Sequence, residues 1–180
     1  MLKTIKEVSV FKNKFIDIQN NDVIDQYWNN RKYIRIFQNA EHKKETGVVV
    51  ILKIKNKFLL INLFRYWIQE DSWEFIRGWI EKWETYEEAG LREVFEEVNI
   101  VWHNSKLIWI SYTDTGILNT EVWFILIEID SLKNQFIKLQ ESENINNYIL
   151  LSKKELKEKI LEWTIKCWFT IQWFWFLNLI

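Results

Sequence analysis

A chain of 180 residues with 24 Lys plus Arg, 25 Asp plus Glu and a net charge of −1 has the size of one domain, or of a domain with an arm. Its 48% hydrophobic and 27% charged content excludes a disordered chain, and the balanced charge argues against nucleic acid or a membrane as partner. Twelve Trp, four Gly and no Pro exclude collagen-like and Gly- or Pro-rich linker proteins, since average usage would put about 13 Gly and 9 Pro in this length.

Residues 1–45 are mixed and polar and read as an N-terminal arm or small β subdomain, with extended segments at Val8–Ile16 and Tyr33–Gln38. A second region, residues 46–180, opens with two β-rich runs, Val48–Ile54 and Phe58–Phe64, separated by Lys55, Asn56 and Lys57. Trp73–Phe75 extends a further strand. From Thr85 the period becomes helical: Thr85 with Glu88 has capping-box spacing, and Ala89, Leu91, Val94, Phe95 and Val98 recur at intervals of three and four. Asn99 is a left-handed stop. Strands follow at Leu107–Tyr112, Val122–Ile129 and Tyr148–Leu151, and helices at Lys153–Leu161 and Thr170–Leu179 close the chain. Mixed strands with helices laid on them predict an α/β sandwich.

The single Cys167 has no internal disulfide partner, and no charged-then-apolar leader opens the chain, so a cytoplasmic protein is expected. Cys167 reads as a small core residue rather than a nucleophile. His42 and His103 show no metal spacing, and Phe169, Trp173, Phe174 and Phe176 read as a helix packed on the sheet.

One stretch carries chemistry. Glu93, Glu96 and Glu97 are spaced i, i+3 and i+4, so a helix places three carboxylates on one side. Such a cluster is often a solvated face. Held together, it is an all-oxygen donor set that suits a hard cation such as Mg²⁺ or Mn²⁺. The longer pattern favours the second reading. Gly78, Glu84, Arg92, Glu93, Val94, Glu96, Glu97 and Ile100 resemble the Nudix box, G-x5-E-x7-R-E-U-x-E-E-x-G-U, with Asn99 in place of its second Gly. Six fixed Gly, Glu and Arg positions at roughly 6–7% each give a chance match of about 10⁻⁵ in this length. Leu63–Tyr66, Ser72–Gly78, Tyr112–Leu118 and Thr164–Ile171 resemble flanking stretches of the ADP-ribose and nucleotide-sugar pyrophosphatase branch.

The resemblance implies a Nudix-type α/β/α sandwich with a mixed sheet. It also implies Mg²⁺-dependent hydrolysis, or Mn²⁺-dependent, of a small nucleotide-sugar substrate. Glu93, Glu96, Glu97 and the backbone carbonyl of Arg77 would hold the metal. Arg92 would hold the carboxylates, Gly78 and Glu84 would shape the box, and Arg65 and Glu74 would contact substrate. Glu141 and Glu143 are the candidate general bases, and dimerisation through the N-terminal arm is expected. Two other readings stay open: a Nudix-fold sensor that binds without cutting, and a hydrolase of nucleoside triphosphates or diadenosine polyphosphates.

The Trp surplus has its own reading. Few Ala, Gly and Pro fit an AT-rich gene, but Trp does not follow from that bias. Aligned with the family, Trp79, Trp83, Trp163 and Trp168 fall at glycine positions, where an indole is a poor substitute. The pattern suggests UGA codons that the source reads as glycine and that are rendered here as Trp. Ten such positions, with Trp73 and Trp123 kept, would raise Gly from 4 to 14, near the average of about 7%.

Overall fold

Four antiparallel strands, β1 (Lys3–Lys6), β2 (Ser9–Lys12), β3 (Ile16–Ile24) and β4 (Asn30–Gln38), form a sheet in which β3 pairs with the other three. The extended segment expected at Val8–Ile16 is broken, because the Asn13 side chain accepts the backbone N–H groups of Phe15 and Ile16 and turns the chain. Sequence reading also misses most of β3. That strand alternates correctly, but its buried positions are Asp17, Gln19, Asn21 and Val23, three of them polar. They satisfy one another: Gln19 Nε2 donates to Asp17 Oδ2 (3.2 Å), Asn21 Nδ2 donates to Gln19 Oε1 (3.1 Å), and Ser9 Oγ donates to Asp17 Oδ1 (2.7 Å).

This computed structural model describes residues 1–38, 45–132, 135–140 and 144–176. Glu141, Glu143, His42 and the expected helix end at Leu177–Leu179 lie outside the described residues. The chain divides into two units, residues 1–47 with 110–122 and residues 48–109 with 123–180.

The second sheet has seven strands and carries the candidate site. Its path runs β11 (Ile145–Leu151), β6 (Lys57–Arg65), β5 (Glu45–Ile54), β10 (Glu121–Ile129) and β9 (Lys106–Tyr112). Strand β7 (Glu70–Glu74) pairs with β6, and β8 (Ile76–Gly78) pairs with β5. Strands β5 and β6 join through a tight turn in which Lys55 is left-handed. The helices are α1 (Tyr86–Val98), α2 (Lys153–Leu161) and α3 (Trp168–Phe176). The architecture is an α/β sandwich, as the alternation of patterns predicts.

One core lies under α1. Val48, Val50, Leu52 and Ile54 of β5, Leu59, Ile61 and Leu63 of β6, and Ile125, Ile127 and Ile129 of β10 meet Ala89, Val94 and Val98 of the helix. Each fully buried aliphatic side chain contributes about 1.5–3 kcal/mol. Helix α1 is capped as expected. Thr85 Oγ1 accepts from Glu88 N, the Glu88 carboxylate accepts from Thr85 N, and Asn99 is left-handed at φ 57°. Phe124, Phe174 and Trp173 are buried elsewhere in the same unit, where Phe124 meets Phe169 and Trp173 meets Phe176. No helix of the described residues is long and apolar enough to cross a membrane.

Candidate active site

Helix α1 packs on β8, and its register decides which acidic groups face inward. Glu93 and Glu97, one turn apart, are buried at 9% and 5% exposure, whereas the Glu96 side chain is 44% exposed. Gly78 on β8 makes room for the first of them, because a Cβ built there would fall on the Glu93 carboxylate. This is the physical reason for glycine at 78: the strand backbone and the acid must touch. Any larger residue would push the carboxylate away.

Arg92 ties the acidic groups together. Its Nη1 donates to Glu93 Oε1 (2.7 Å) and Glu96 Oε2 (2.8 Å). Its Nε and Nη2 grip Glu84 at 2.9 and 3.0 Å, and Nη2 also donates to the Trp79 carbonyl at 2.8 Å. One guanidinium thus joins the helix to the loop between β8 and α1. The hydrogen bonds to Glu84 raise the Arg92 pKa; desolvation opposes them, and Glu93 and Glu96 add to the rise. Burial pushes the Glu84 carboxyl up, but the Arg92 hydrogen bond, the Glu81 backbone N–H and the Arg92 charge outweigh it and hold the group below its usual range.

A second charged group lies beside β8. Arg65 on β6 donates to both Glu74 oxygens, Nε to Oε1 at 3.1 Å and Nη2 to Oε2 at 2.6 Å. Arg77 Nε forms an ion pair with Glu74 Oε2 at 2.7 Å, and its guanidinium lies 5.4 Å from the centre of the Phe169 ring. The Glu74 side chain is 4% exposed, while both arginines are 30% exposed. Glu74 therefore faces two arginines, and both arginines stay partly exposed. Desolvation pushes the Glu74 carboxyl up, and the Arg65 hydrogen bond with the charges of Arg77 and Arg65 brings it below the ordinary value. Nearby, Cys167 is half-buried, and burial raises its thiol.

Two buried carboxylates on one helix face need positive charge or a metal. As they stand, no three His, Cys, Asp or Glu among the described residues are gathered closely enough to hold an ion; Arg92 Nη1 holds Glu93 and Glu96 together. It engages one oxygen of each, and a carboxylate has two. As a donor set, Glu93, Glu96 and Glu97 offer oxygen alone, the chemistry that a hard divalent cation takes.

The sequence profile of the NUDIX domain matches residues 41–174, and the chain belongs to the Nudix family of hydrolases. Members of that family generally use divalent metal ions. The crystal structure of an ADP compounds hydrolase has the same fold, with a TM-score of 0.73 at 15% identity over 89% of this chain and 83% of that one. No curated relative matches the chain.

The structure brings Arg92, Glu93, Glu96, Glu84 and Gly78 into one cluster, with Glu97 buried one turn along α1 from Glu93, and Arg65, Glu74 and Arg77 into another. Sequence reading misses two contributors: the Trp79 carbonyl, which accepts from Arg92, and Thr170, whose Oγ1 accepts from Phe75 N at 3.3 Å and ties α3 to the β7–β8 junction. The first has no side-chain signal. The second lies 95 residues away in the chain, beyond any local pattern.

Proposed function

We propose that the chain hydrolyses the pyrophosphate bond of ADP-ribose or a related nucleoside diphosphate sugar in a reaction that needs Mg²⁺ or Mn²⁺. The products are a nucleoside monophosphate and a sugar phosphate. The observation that carries this reading is the Arg92 junction, which holds the acidic face of α1 and the preceding loop as one unit beside Gly78. A water oxygen bonds to one phosphorus, the bridging P–O bond breaks, and the bridging oxygen leaves with the other phosphate. The water's proton passes to a carboxylate, for which Glu141 and Glu143 are the proposed bases. When bound by Glu93, Glu96, Glu97 and the Arg77 carbonyl, the divalent ion supplies charge neutralisation and a more acidic water.

The choice of substrate is supported by the Trp73–Gly78 stretch, by the partly exposed pair Arg65 and Arg77, and by the fold shared with a hydrolase of ADP compounds. A guanidinium suits a diphosphate because it can bind two oxygens at once. Ile5, Val10, Phe11 and Ile34 are all more than half exposed on the four-stranded sheet, which supports that sheet as the dimerisation arm.

The test is release of nucleoside monophosphate from ADP-ribose, ADP-glucose, GDP-mannose, dNTPs and diadenosine polyphosphates, each with Mg²⁺ and with a chelator. Metal-dependent AMP release from ADP-ribose or ADP-glucose above the other substrates is expected. Binding without release would convert the reading to a sensor. A monomer in light scattering would remove the dimer.

A further inference from the structure

We infer that Glu74 is a positioning residue, which holds Arg65 and Arg77 as one rigid cationic pair for the diphosphate of the substrate. This rests on the function proposed above and deepens it. The carboxylate is too buried to meet a ligand, at 4% exposure, yet it engages two guanidiniums from two different strands. Two arginines drawn together repel unless an anion lies between them, and one carboxylate leaves the trio at net +1. Arg65 is fixed by both oxygens, which sets the plane of its guanidinium. Arg77 is held to Glu74 by charge at 2.7 Å and rests against the Phe169 ring, 5.4 Å from its centre. Each remains 30% exposed, so the pair is preorganised and accessible. Gly78, next to Arg77 on β8, touches Glu93 of α1, so β8 meets both the Glu74 trio and the acidic helix.

The experiment compares the parent with Glu74→Gln and Glu74→Asp by steady-state kinetics, by calorimetric titration with inorganic pyrophosphate, and by thermal melting. Glu74→Gln is expected to raise KM and weaken pyrophosphate binding by about tenfold or more, as loss of about 1.4 kcal/mol would do, with kcat nearly kept. Glu74→Asp, which keeps the charge, should recover part of the affinity. If the folded Gln variant has the parent's KM and pyrophosphate affinity, or loses only kcat and melting temperature, the positioning role is overturned. A parent whose pyrophosphate affinity falls in Glu74→Gln but which hydrolyses nothing would overturn the enzyme reading and leave the positioning role standing.

A separate observation supports a second inference. Trp28, Trp83 and Trp163 have φ values of 66°, 74° and 61°, in the left-handed region that favours glycine. They are 83%, 90% and 78% exposed, so packing does not hold them there. Each sits at a turn. Trp28 N donates to Asp25 O, Trp83 lies between Glu81 and Glu84, whose backbones are bonded, and Trp163 follows α2. At the last, Trp163 N donates to Ile160 O and Thr164 N to Lys159 O, the helix-ending pattern in which the left-handed residue is commonly glycine. The geometry points to positions 28, 83 and 163 as glycine in the native protein, encoded by UGA. Two measurements test this: the codons at these positions, and the melting temperatures of Trp28→Gly, Trp83→Gly and Trp163→Gly. UGA codons and a gain of about 2–4 °C for each variant are expected. UGG codons, or glycine variants no more stable than the parent, would overturn it.

Discussion

Arg92 and Glu84, eight residues apart in sequence, are joined by two parallel hydrogen bonds of 2.9 and 3.0 Å, and this pair fastens the loop before α1 to the helix itself. The same guanidinium reaches Glu93, Glu96 and the Trp79 carbonyl, so the loop, the helix and the acidic face have one common anchor. Lysine offers a single charged point and cannot match that fork. Arg92→Lys is therefore expected to lower kcat by about 10²-fold or more, since a small misplacement of the reacting groups has that effect. The melting temperature should fall by several degrees. Kinetics on the folded fraction separates the two effects, and a variant with parental kcat would remove Arg92 from the site.

Glu97 is a buried carboxylate one turn from Glu93. Glu97→Gln is expected to leave the fold intact and to lower metal-dependent hydrolysis by about 10³-fold or more, as loss of a metal ligand should. Without metal, the variant should melt no lower than the parent, because a buried charge has been removed from beside another. Circular dichroism with and without the divalent ion checks both parts.

Glu141→Gln with Glu143→Gln should reduce kcat much more than it changes KM, the pattern expected when a proton acceptor is lost and binding is kept. Single variants then tell which of the two accepts the proton. A change confined to KM would place the base elsewhere.

Acid stability should report Glu74. Its carboxyl lies below the ordinary value of 4.5, because the arginine contacts outweigh the cost of burial. A group lowered on folding contributes stability that is complete above its unfolded pKa and is lost as pH falls through its folded value. The parent should therefore lose stability below about pH 4.5, and Glu74→Gln should flatten that part of the curve while being less stable at neutral pH. Denaturant midpoints measured from pH 7 to pH 3 test the sign.

Much of the second unit was legible because its signals are local. The apolar runs of β5 and β6, the capping box at Thr85 and the left-handed stop at Asn99 each depend on neighbours within a few residues. The three glutamates and Arg92 were readable for the same reason, since helix geometry converts spacing into a shared face. Their unequal burial was not readable, because it depends on Gly78 and β8, across the sheet from the spacing itself. Glu74 was expected to meet substrate. The structure instead buries it against Arg65 and Arg77, a relation fixed by pairing β7 with β6 and β8 with β5. Strand β3 was hidden by its own chemistry, because a buried face made of Asp17, Gln19 and Asn21 looks like a loop to any scale of hydropathy.

That polar face has a consequence for assembly. An apolar strand can slide along its neighbours with little change in burial, whereas Ser9, Asp17, Gln19, Asn21 and the Val8 N–H form a chain of donors and acceptors with one solution. Shifting β3 by two residues would leave several of these groups dry and unbonded, at a cost of about 1–3 kcal/mol each. The strand thus gives up some hydrophobic adhesion and gains a lock against misalignment. In a sheet whose outer strands expose Ile5, Val10 and Phe11, such a lock keeps the pairing fixed while apolar side chains stay open to solvent.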